Sequence, residues 1–283
     1  MRDTLADALT KEAHLVEWLR ARGSVAIGYS GGVDSAYLAA VAVDALGAER
    51  VLAIIGRSAS YPESQWQNAR RVADAVGLAV LEIDTDELSD PRYAANPTNR
   101  CYFCKTELWS RLVPAARARG ITTVVDGTNA DDLHGHRPGA RAATEHGVES
   151  PLAAFAFTKE DVRARSRSRG LPTWDQPSSP CLSSRIPYGT PVTVGRLRRV
   201  ERAEAALRGL GIVGDLRVRH HGDVARVELG PGELAQWSTD VAARRIGEAL
   251  VAAGYARFEI DRRGYRSGSL NETNSPGAAL SRD

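Results

Sequence analysis

The first 130 or so residues alternate between two hydrophobic periods. Short apolar runs of about five residues, typical of buried strands, are separated by longer segments with apolar residues at helical spacing. The predicted strands cover 24–29, 50–55, 79–83 and 121–125. The predicted helices cover 5–20, 36–46, 62–76 and 101–118, the last of them broken or bent near Pro114. Strands alternating with helices indicate βαβ units, so the pattern predicts an α/β fold with a doubly wound parallel sheet.

The pattern changes in the second half of the chain. Thr158, with Asp161 three residues later, resembles a capping box and predicts a helix that runs to Gly170. Residues 172–189 contain four prolines and no periodicity, which is typical of a linker or a functional loop. The elements predicted beyond it are a helix (193–209), two strands (213–219 and 224–229), a helix (240–252) and a strand (255–261). They indicate a smaller α+β domain.

We therefore predict a first domain over 1–190, which includes the proline-rich loop, and a second over 191–270. The Ser/Pro/Gly-rich stretch 271–283 is predicted to be a flexible tail. The chain of 283 residues is 43% hydrophobic and 25% charged, which is an ordinary globular composition.

The net charge and the hydropathy of the chain argue against nucleic acid and membranes as partners. The formal net charge of +2 gives no strong field towards nucleic acid or anionic lipid, so a nucleic-acid partner is not expected. No apolar run approaches the roughly 18–20 residues of a membrane span, and the N-terminus lacks the apolar core of a signal peptide. We expect a cytoplasmic protein without a membrane partner.

The hexapeptide Ser-Gly-Gly-Val-Asp-Ser follows the first predicted strand and opens the next helix; its candidate ligand-binding residues are Ser30, Gly31, Gly32, Asp34 and Ser35. Two glycines let the backbone turn tightly and direct N–H groups at an anion, and the helix adds the positive end of its dipole. The chain has neither the Gly-Lys-Ser/Thr of a Walker loop nor a GxGxxG fingerprint. The context predicts a phosphate-binding loop.

As it stands, the hexapeptide is identical to the SGGxDS signature of the PP-loop ATP pyrophosphatases. These enzymes bind the pyrophosphate of ATP at this loop, transfer AMP to a substrate oxygen and release pyrophosphate. The resemblance implies ATP and Mg²⁺, and it places further ATP-binding residues after the second and fourth strands: Ser58, Asp126, Gly127 and Asn129. Asp131 is a candidate Mg²⁺ ligand by the same resemblance, although an acid there could equally cap a helix.

The three cysteines are too few for a disulfide scaffold. Cys101 and Cys104 lie about one turn apart at a predicted helix start, a geometry that suits an iron–sulfur cluster or a zinc ion. Zinc would need His134 or His136 as a further ligand. A thioredoxin-like redox dithiol is another possibility, but the strand-to-helix crossover that precedes such a motif is absent here. Alternatively, the two cysteines are simply small apolar residues on a helix face and bind no ligand.

The segment around Cys181 indicates which of the PP-loop ATP pyrophosphatases the chain resembles most. Residues 180–189 resemble the cysteine loop of the LarE family, ATP-dependent sulfur transferases that build the pincer ligand of the nickel cofactor in lactate racemase. Other segments that look like this family are 96–97, 101–105, 126–129, 137–139, 217–219 and 264–269. The likeness therefore covers most of the chain.

LarE-like enzymes adenylate carboxylates of a small nucleotide, pyridinium-3,5-biscarboxylic acid mononucleotide, and convert them to thiocarboxylates. The resemblance implies a homo-oligomer with Cys181 as nucleophile, and it leaves two sulfur sources open. In one, Cys181 gives up its own sulfur once and becomes dehydroalanine. In the other, Cys101, Cys104 and Cys181 hold a [4Fe–4S] cluster that carries an extra sulfide. A sacrificial enzyme needs only Cys181, so the other two cysteines favour the cluster.

The candidate substrate-binding residues follow Cys181 along the chain: Ser184, Arg185, Arg217 and Arg219. Arg185 could favour the thiolate of Cys181 or hold a phosphate. Arg217 and Arg219 alternate on a predicted strand, so they share a face that suits a phosphate or carboxylate; two exposed strand arginines are the alternative. Glu228, on the next strand, is either a pairing partner or a metal ligand.

Three other functions remain open at this point. A tRNA-thiolating PP-loop enzyme also uses cysteines, but such enzymes usually carry RNA-binding extensions. An amide-forming synthetase of the NAD or GMP type would give Cys181 no role. A nucleotide sensor would bind ATP without releasing pyrophosphate.

Overall fold

The structure, a computed structural model, describes residues 2–133, 138–177 and 179–266. His134, His136 and Arg137, the segment 267–269 and the predicted tail 271–283 lie outside the described residues. The chain divides into two compact units. The first consists of the residues up to Tyr93 together with Thr98–Ser179, and the second of Ala94–Pro97 and the chain from Pro180 onwards. The division falls before the predicted boundary near residue 190, so the loop that carries Cys181 belongs to the second unit.

The first unit contains a parallel four-stranded sheet of order β3-β2-β1-β4. Its strands are β1 (Val25–Gly28), β2 (Val51–Arg57), β3 (Ala79–Asp84) and β4 (Val124–Asp126). Its helices are α1 (Arg2–Arg22), α2 (Val33–Leu46), α3 (Glu63–Ala75), α4 (Pro91–Ala94), α5 (Arg100–Arg117), α6 (Pro138–Glu145), α7 (Pro151–Ala154) and α8 (Lys159–Ser168). The four predicted strands are thereby confirmed.

Helices cover both faces of this sheet. Alternate residues of a strand point to opposite faces, and Ala53 and Ile55 of β2 pack with α1, α2, α3 and α8. Ile54, between them, packs with Trp109 of α5 and with α6 on the other face. The strands are therefore apolar on both sides, as expected for parallel sheets, and the predicted doubly wound α/β fold is confirmed.

The short helices α4, α6 and α7 escaped the periodicity analysis, because four to eight residues span too few turns to show a helical period. Helix α5 runs continuously through Pro114. This proline lies in the last turn of α5, which ends three residues later at Arg117, so little of the helix follows it.

The second unit is a small α+β fold. Strands β5 (Leu216–His221) and β6 (Val224–Leu229) are antiparallel, and β7 (Arg257–Ile260) pairs parallel to β6. Helices α9 (Val194–Gly209), α10 (Pro231–Trp237) and α11 (Asp240–Ala252) contribute to one apolar core with the sheet. This agrees with the α+β pattern predicted for the second half of the chain. In the part of the chain that the structure describes, no helix is both long and apolar enough to span a bilayer.

Helix α8 begins with the predicted capping box. Thr158 Oγ1 accepts a hydrogen bond from the Asp161 backbone N–H at 3.1 Å, and the Thr158 N–H donates to Asp161 Oδ2 at 3.0 Å. Lys11 of α1 also contacts Asp161 Oδ2, at 2.9 Å. The cap therefore fixes both the start of α8 and its contact with α1.

A buried ion cluster joins α1, α2 and α8. Glu12 accepts hydrogen bonds from Arg165 (2.9 Å to each carboxylate oxygen), Arg169 (2.7 Å) and the Tyr37 hydroxyl (2.6 Å). Burial alone would raise the pKa of Glu12, but these three donors lower it to about 2. The cluster stabilises the ionised carboxylate in the fold.

We expect Glu12→Gln to lower the free energy of unfolding by about 3 kcal/mol at pH 7, because the two arginines lose a buried carboxylate. The pKa of Glu12 in the folded protein lies below its ordinary value of 4.5. This stabilisation is therefore complete above pH 4.5 and is lost as the pH falls towards 2. Urea unfolding at several pH values measures the difference, with Glu17→Gln on the exposed side of α1 as control. A difference that does not change with pH would contradict the ionic origin.

Candidate functional site

The phosphate loop lies between β1 and α2, as predicted. Gly31 has φ +67°, a left-handed conformation that favours glycine. A Cβ at Gly31 would lie 2.4 Å from the Cα of Ala69, so α3 packs directly against the loop backbone. The Ser35 hydroxyl is within hydrogen-bond distance of the Ser30 N–H (3.3 Å), the Ser30 hydroxyl (3.2 Å) and the Gly32 carbonyl (3.2 Å). The loop is thus closed on itself at the start of a 14-residue helix, whose first N–H groups lack helical acceptors.

The loop after β4 meets the phosphate loop. A Cβ at Gly127 would lie 2.9 Å from the Ser35 backbone nitrogen, and the buried Asn129 donates from Nδ2 to Asp34 Oδ1 at 3.0 Å. Burial raises the pKa of Asp34, the Asn129 hydrogen bond lowers it, and the charge of Asp132 raises it further. The structure therefore brings these two predicted ATP-binding segments together at the carboxyl ends of β1 and β4.

Two predicted acidic residues of this second loop bind protein groups. Asp126 Oδ1 accepts from the Thr128 N–H (3.0 Å) and the Ser150 hydroxyl (2.8 Å), which fixes the turn after β4. Asp131 Oδ2 accepts from the Lys159 backbone N–H at 2.7 Å, in the first turn of α8. This is the capping role that the sequence left open, and the role of Asp131 as a Mg²⁺ ligand stays a prediction.

The donors near the phosphate loop suit Mg²⁺ chemically. Asp132 Oδ1 pairs with Lys159 Nζ at 3.1 Å, and the charge of Asp132 raises the pKa of Asp34 while that of Lys159 lowers it. Carboxylate oxygens such as those of Asp34 and Asp132 are ligands that Mg²⁺ prefers. Within the described ranges, no three His, Cys, Asp or Glu side chains are grouped as ligands for one ion. A Mg²⁺ ion here would therefore take one or two carboxylates from the protein and its other ligands from phosphate and water, as is usual for this ion.

Ser58, at the end of β2, is held by a buried carboxylate that the sequence analysis missed. Glu87 is 2% exposed and accepts hydrogen bonds from the hydroxyls of Ser58 (2.7 Å), Ser60 (2.6 Å) and Thr85 (3.3 Å). The Ser58 hydroxyl proton is therefore committed to Glu87, and the Ser58 oxygen accepts from the Ser60 N–H at 3.2 Å. Ser58 could contact a ligand only as a hydrogen-bond acceptor. Ser58 as an ATP-binding residue stays a prediction.

Cys101 and Cys104 lie in the first turns of α5, and Cys181 lies in the second unit. All three are thiols; Cys101 is exposed, and Cys104 and Cys181 are half-buried. The spacing of three residues places Cys101 and Cys104 one helical turn apart, as predicted. Their role in a cluster stays a prediction.

Arg185 organises the loop that carries Cys181. Its guanidinium is buried and donates to both carboxylate oxygens of Glu204, at 2.8 and 2.9 Å. The remaining Nη1 donates to the carbonyls of Pro180 (2.6 Å) and Cys181 (3.1 Å), and lies 3.0 Å from the Ser184 hydroxyl. Arg185 therefore shapes the backbone around Cys181, a role in addition to the two that the sequence suggested.

Two further residues that hold this loop were missed or left without a role. Glu204 of α9 also accepts from the Val218 N–H of β5 at 2.9 Å, so one carboxylate connects helix, strand and loop. Asn96 is buried at φ +57° and donates from Nδ2 to the Pro187 and Thr190 carbonyls, both at 2.8 Å. Asparagine tolerates this left-handed conformation better than most residues.

Arg217 and Arg219 are both buried, so the alternative of two exposed strand arginines is wrong. Arg219 donates to Glu228 Oε2 at 2.7 Å and to the Ser184 carbonyl at 2.7 Å. Arg217 stacks on Tyr265, with 4.8 Å between guanidinium carbon and ring centroid, and burial lowers its pKa. Glu228 is thus a pairing partner, and substrate binding by Ser184, Arg185, Arg217 and Arg219 stays a prediction.

We expect Gly31→Ala to lower the free energy of unfolding by about 1–3 kcal/mol, because the new Cβ needs a positive φ and meets the α3 backbone. Gly32→Ala is the matched control. The nearest atom to its Cβ is 3.4 Å away and its φ is −77°, so the cost should stay at about 1 kcal/mol or below. Urea unfolding of both variants checks this, and equal losses would contradict the packing argument.

We expect Arg185→Lys to lower the free energy of unfolding by about 2–3 kcal/mol, because one ammonium group cannot bind Glu204 bidentately and also serve two carbonyls. Arg198→Lys, on the exposed side of α9, is the control and should leave stability unchanged. Urea unfolding measures both, and a tolerated Arg185→Lys would show that the fork geometry is dispensable.

The comparisons with known proteins agree with the site geometry. The family model of NAD synthase matches residues 7–115. An NH(3)-dependent NAD(+) synthetase of Methanococcoides burtonii is 50% identical over 71 residues, 25% of this chain and 27% of that protein. An uncharacterized protein of Synechocystis sp. is 45% identical over 245 residues, 87% of this chain and 91% of that protein.

A relative with a defined name matches almost the whole chain. The pyridinium-3,5-bisthiocarboxylic acid mononucleotide synthase of Lactiplantibacillus plantarum is 35% identical over 269 residues, 95% of this chain and 96% of that protein. This likeness includes the phosphate loop, the cysteine loop and both units. The chain therefore belongs to the family of pyridinium-3,5-bisthiocarboxylic acid mononucleotide synthases, the LarE family.

Proposed function

We propose that this protein is an ATP-dependent sulfur transferase that makes thiocarboxylates on pyridinium-3,5-biscarboxylic acid mononucleotide for nickel-pincer cofactor biosynthesis. The observation that carries the proposal is the identity of 35% with the synthase over 95% of the chain. Of the competing functions, an amide-forming synthetase is supported only by likeness over shorter stretches, such as 25% of the chain. Such an enzyme would also leave the organised loop around Cys181 without a role.

In the first half-reaction a substrate carboxylate oxygen attacks the α-phosphorus of ATP. The bond between the α- and β-phosphates breaks, pyrophosphate leaves and an acyl-adenylate forms. The phosphate loop would hold the pyrophosphate through its backbone N–H groups and the hydroxyls of Ser30 and Ser35. Asp34 and Asp132 would hold Mg²⁺, which neutralises charge on the phosphates when bound. Asn129 orients Asp34 for this purpose.

In the second half-reaction sulfur attacks the acyl carbon and AMP leaves. If Cys181 is the direct nucleophile, its thiolate forms a thioester with the substrate. Removal of the Cys181 Cα proton by a base then breaks the Cβ–S bond, and the electron pair stays on sulfur. The products of this sacrificial route are a thiocarboxylate and dehydroalanine at position 181. Arg217 of β5, whose guanidinium stacks on Tyr265, would supply positive charge for the anionic substrate.

The cluster route stays a prediction. Its ligands would be Cys101, Cys104 and Cys181, and we derive no step through a cluster. The homo-oligomer that the family resemblance implies likewise stays a prediction.

We expect Cys181→Ala to keep substrate-dependent pyrophosphate release and to lose thiocarboxylate formation at least 100-fold, because adenylation precedes sulfur attack. The assay is anaerobic, with ATP, Mg²⁺ and the pyridinium substrate, and mass spectrometry detects the thiocarboxylate. A variant with full overall activity would overturn the proposal in favour of an amide-forming ligase. Pyrophosphate release that depends on tRNA would favour a tRNA-thiolating enzyme.

The same assay distinguishes the sulfur sources. In the sacrificial route the spent wild-type protein loses the mass of H₂S at position 181, and the Cys101→Ala/Cys104→Ala double variant stays active. In the cluster route the anaerobically reconstituted protein contains iron and sulfide, Cys181 is unchanged after turnover, and the double variant is inactive.

A further inference from the structure

Helix α3 presents one face to the phosphate loop. The Tyr61 hydroxyl, just before the helix, donates to the Ser30 carbonyl at 3.0 Å, and Gln65 Nε2 donates to the same oxygen at 3.3 Å. One turn further along, Ala69 packs against Gly31. Residues at i, i+4 and i+8 share a helix face, so this face of α3 fixes the first half of the loop.

The same helix holds the segment that leads to the cysteine loop. Asn68 Nδ2 donates to Gln176 Oε1 at 3.3 Å, and the Ser179 hydroxyl donates to Gln65 Oε1 at 3.3 Å. Arg163 of α8 adds hydrogen bonds to the carbonyls of Trp174 (2.9 Å) and Gln176 (2.8 Å). The chain ahead of Pro180 is therefore attached at several points to the nucleotide-binding unit.

The NH₂ group and the oxygen of the Gln65 side-chain amide bind different partners. The Ser30 carbonyl only accepts, so it takes the NH₂ end, and the Ser179 hydroxyl donates to the oxygen end. A leucine of similar size offers neither group, and a glutamate cannot donate to a carbonyl. Only an amide makes both hydrogen bonds at once, so one side chain connects the phosphate loop to the residue two positions before Cys181.

We propose that Gln65 is a positioning residue that couples the two half-reactions, an inference that rests on the proposed function. Two residues of chain span at most about 7 Å, so anchoring Ser179 restricts the positions open to Cys181. Ser30, at the other end of the amide, belongs to the loop that holds the ATP phosphates. An acyl-adenylate that waits for sulfur is exposed to hydrolysis, which releases AMP without product. The coupling between adenylation and sulfur transfer is therefore measured as the amount of thiocarboxylate formed per AMP released.

The test measures both products anaerobically in the full-length protein, with Gln65→Leu and Ser179→Ala. We expect each variant to form about three- to ten-fold less thiocarboxylate per AMP released, the range for losing one neutral hydrogen bond. Ser179→Ala leaves the Gln65–Ser30 contact intact, so this variant should also release AMP at near the wild-type rate. The double variant should be no worse than Gln65→Leu, because both changes break the same connection. Gln67→Leu, an exposed neighbour on α3 that contacts Glu63, is the matched control and should leave the ratio unchanged.

The alternative outcomes are separable. If Gln65→Leu lowers AMP release and thiocarboxylate in proportion, Gln65 only supports the phosphate loop and the coupling proposal is wrong. If Ser179→Ala leaves the ratio unchanged, the hydrogen bond ahead of Cys181 has no role and the proposal is again wrong. If the wild type forms no AMP with the pyridinium substrate, the proposed function itself fails. Should Gln65→Leu not fold, Ser179→Ala alone decides, since it leaves the phosphate loop contact intact.

Discussion

The candidate nucleotide site depends on close contact between backbone segments at the carboxyl end of the parallel sheet. Glycines make this contact possible because they place no side chain between the segments. Gly31 lets α3 approach the phosphate loop, and Gly127 lets the loop after β4 reach the first turn of α2. A Cβ at Gly31 or Gly127 would lie 2.4 or 2.9 Å from a backbone atom of the facing segment, so the segments would have to move apart. The contacts of Asp34 with Asn129, and of Ser30 with α3, exist only because the backbones meet first.

In the second unit, buried arginines fix the conformation of the loop that carries Cys181. A buried guanidinium is costly unless a carboxylate and further acceptors satisfy it. Arg185 meets this requirement with Glu204 and two loop carbonyls, and Arg219 meets it with Glu228 and the Ser184 carbonyl. Because the acceptors include main-chain oxygens, satisfying the charges also defines the loop conformation. These buried arginines are therefore structural residues of the loop.

Local patterns were sufficient for the strands and the long helices, but not for the short helices or for the residues that position the site. The strand and helix periods, the glycines of the phosphate loop and the cap at Thr158 all act over a few residues, so the sequence displays them. Glu87, Glu204 and Gln65 act on partners that are distant in the chain, such as Ser30 and Ser179 for Gln65, and nothing in their immediate sequence marks them. The compact units divide before the predicted boundary near residue 190 for the same reason, because the contacts of Asn96 with residues 187–190 are long-range.

The way in which Cys181 is held bears on its chemistry. Its hydrogen bonds to Arg185 and to the Ser184 N–H use the carbonyl oxygen of Cys181. The loop conformation therefore depends on the main chain, which under the proposed function leaves the sulfur atom available for the reaction. A thiol that also held the loop together could not leave without disrupting it. Holding the loop by its backbone thus allows the sulfur of Cys181 to be transferred, and it equally allows Cys181 to act as a ligand that survives turnover.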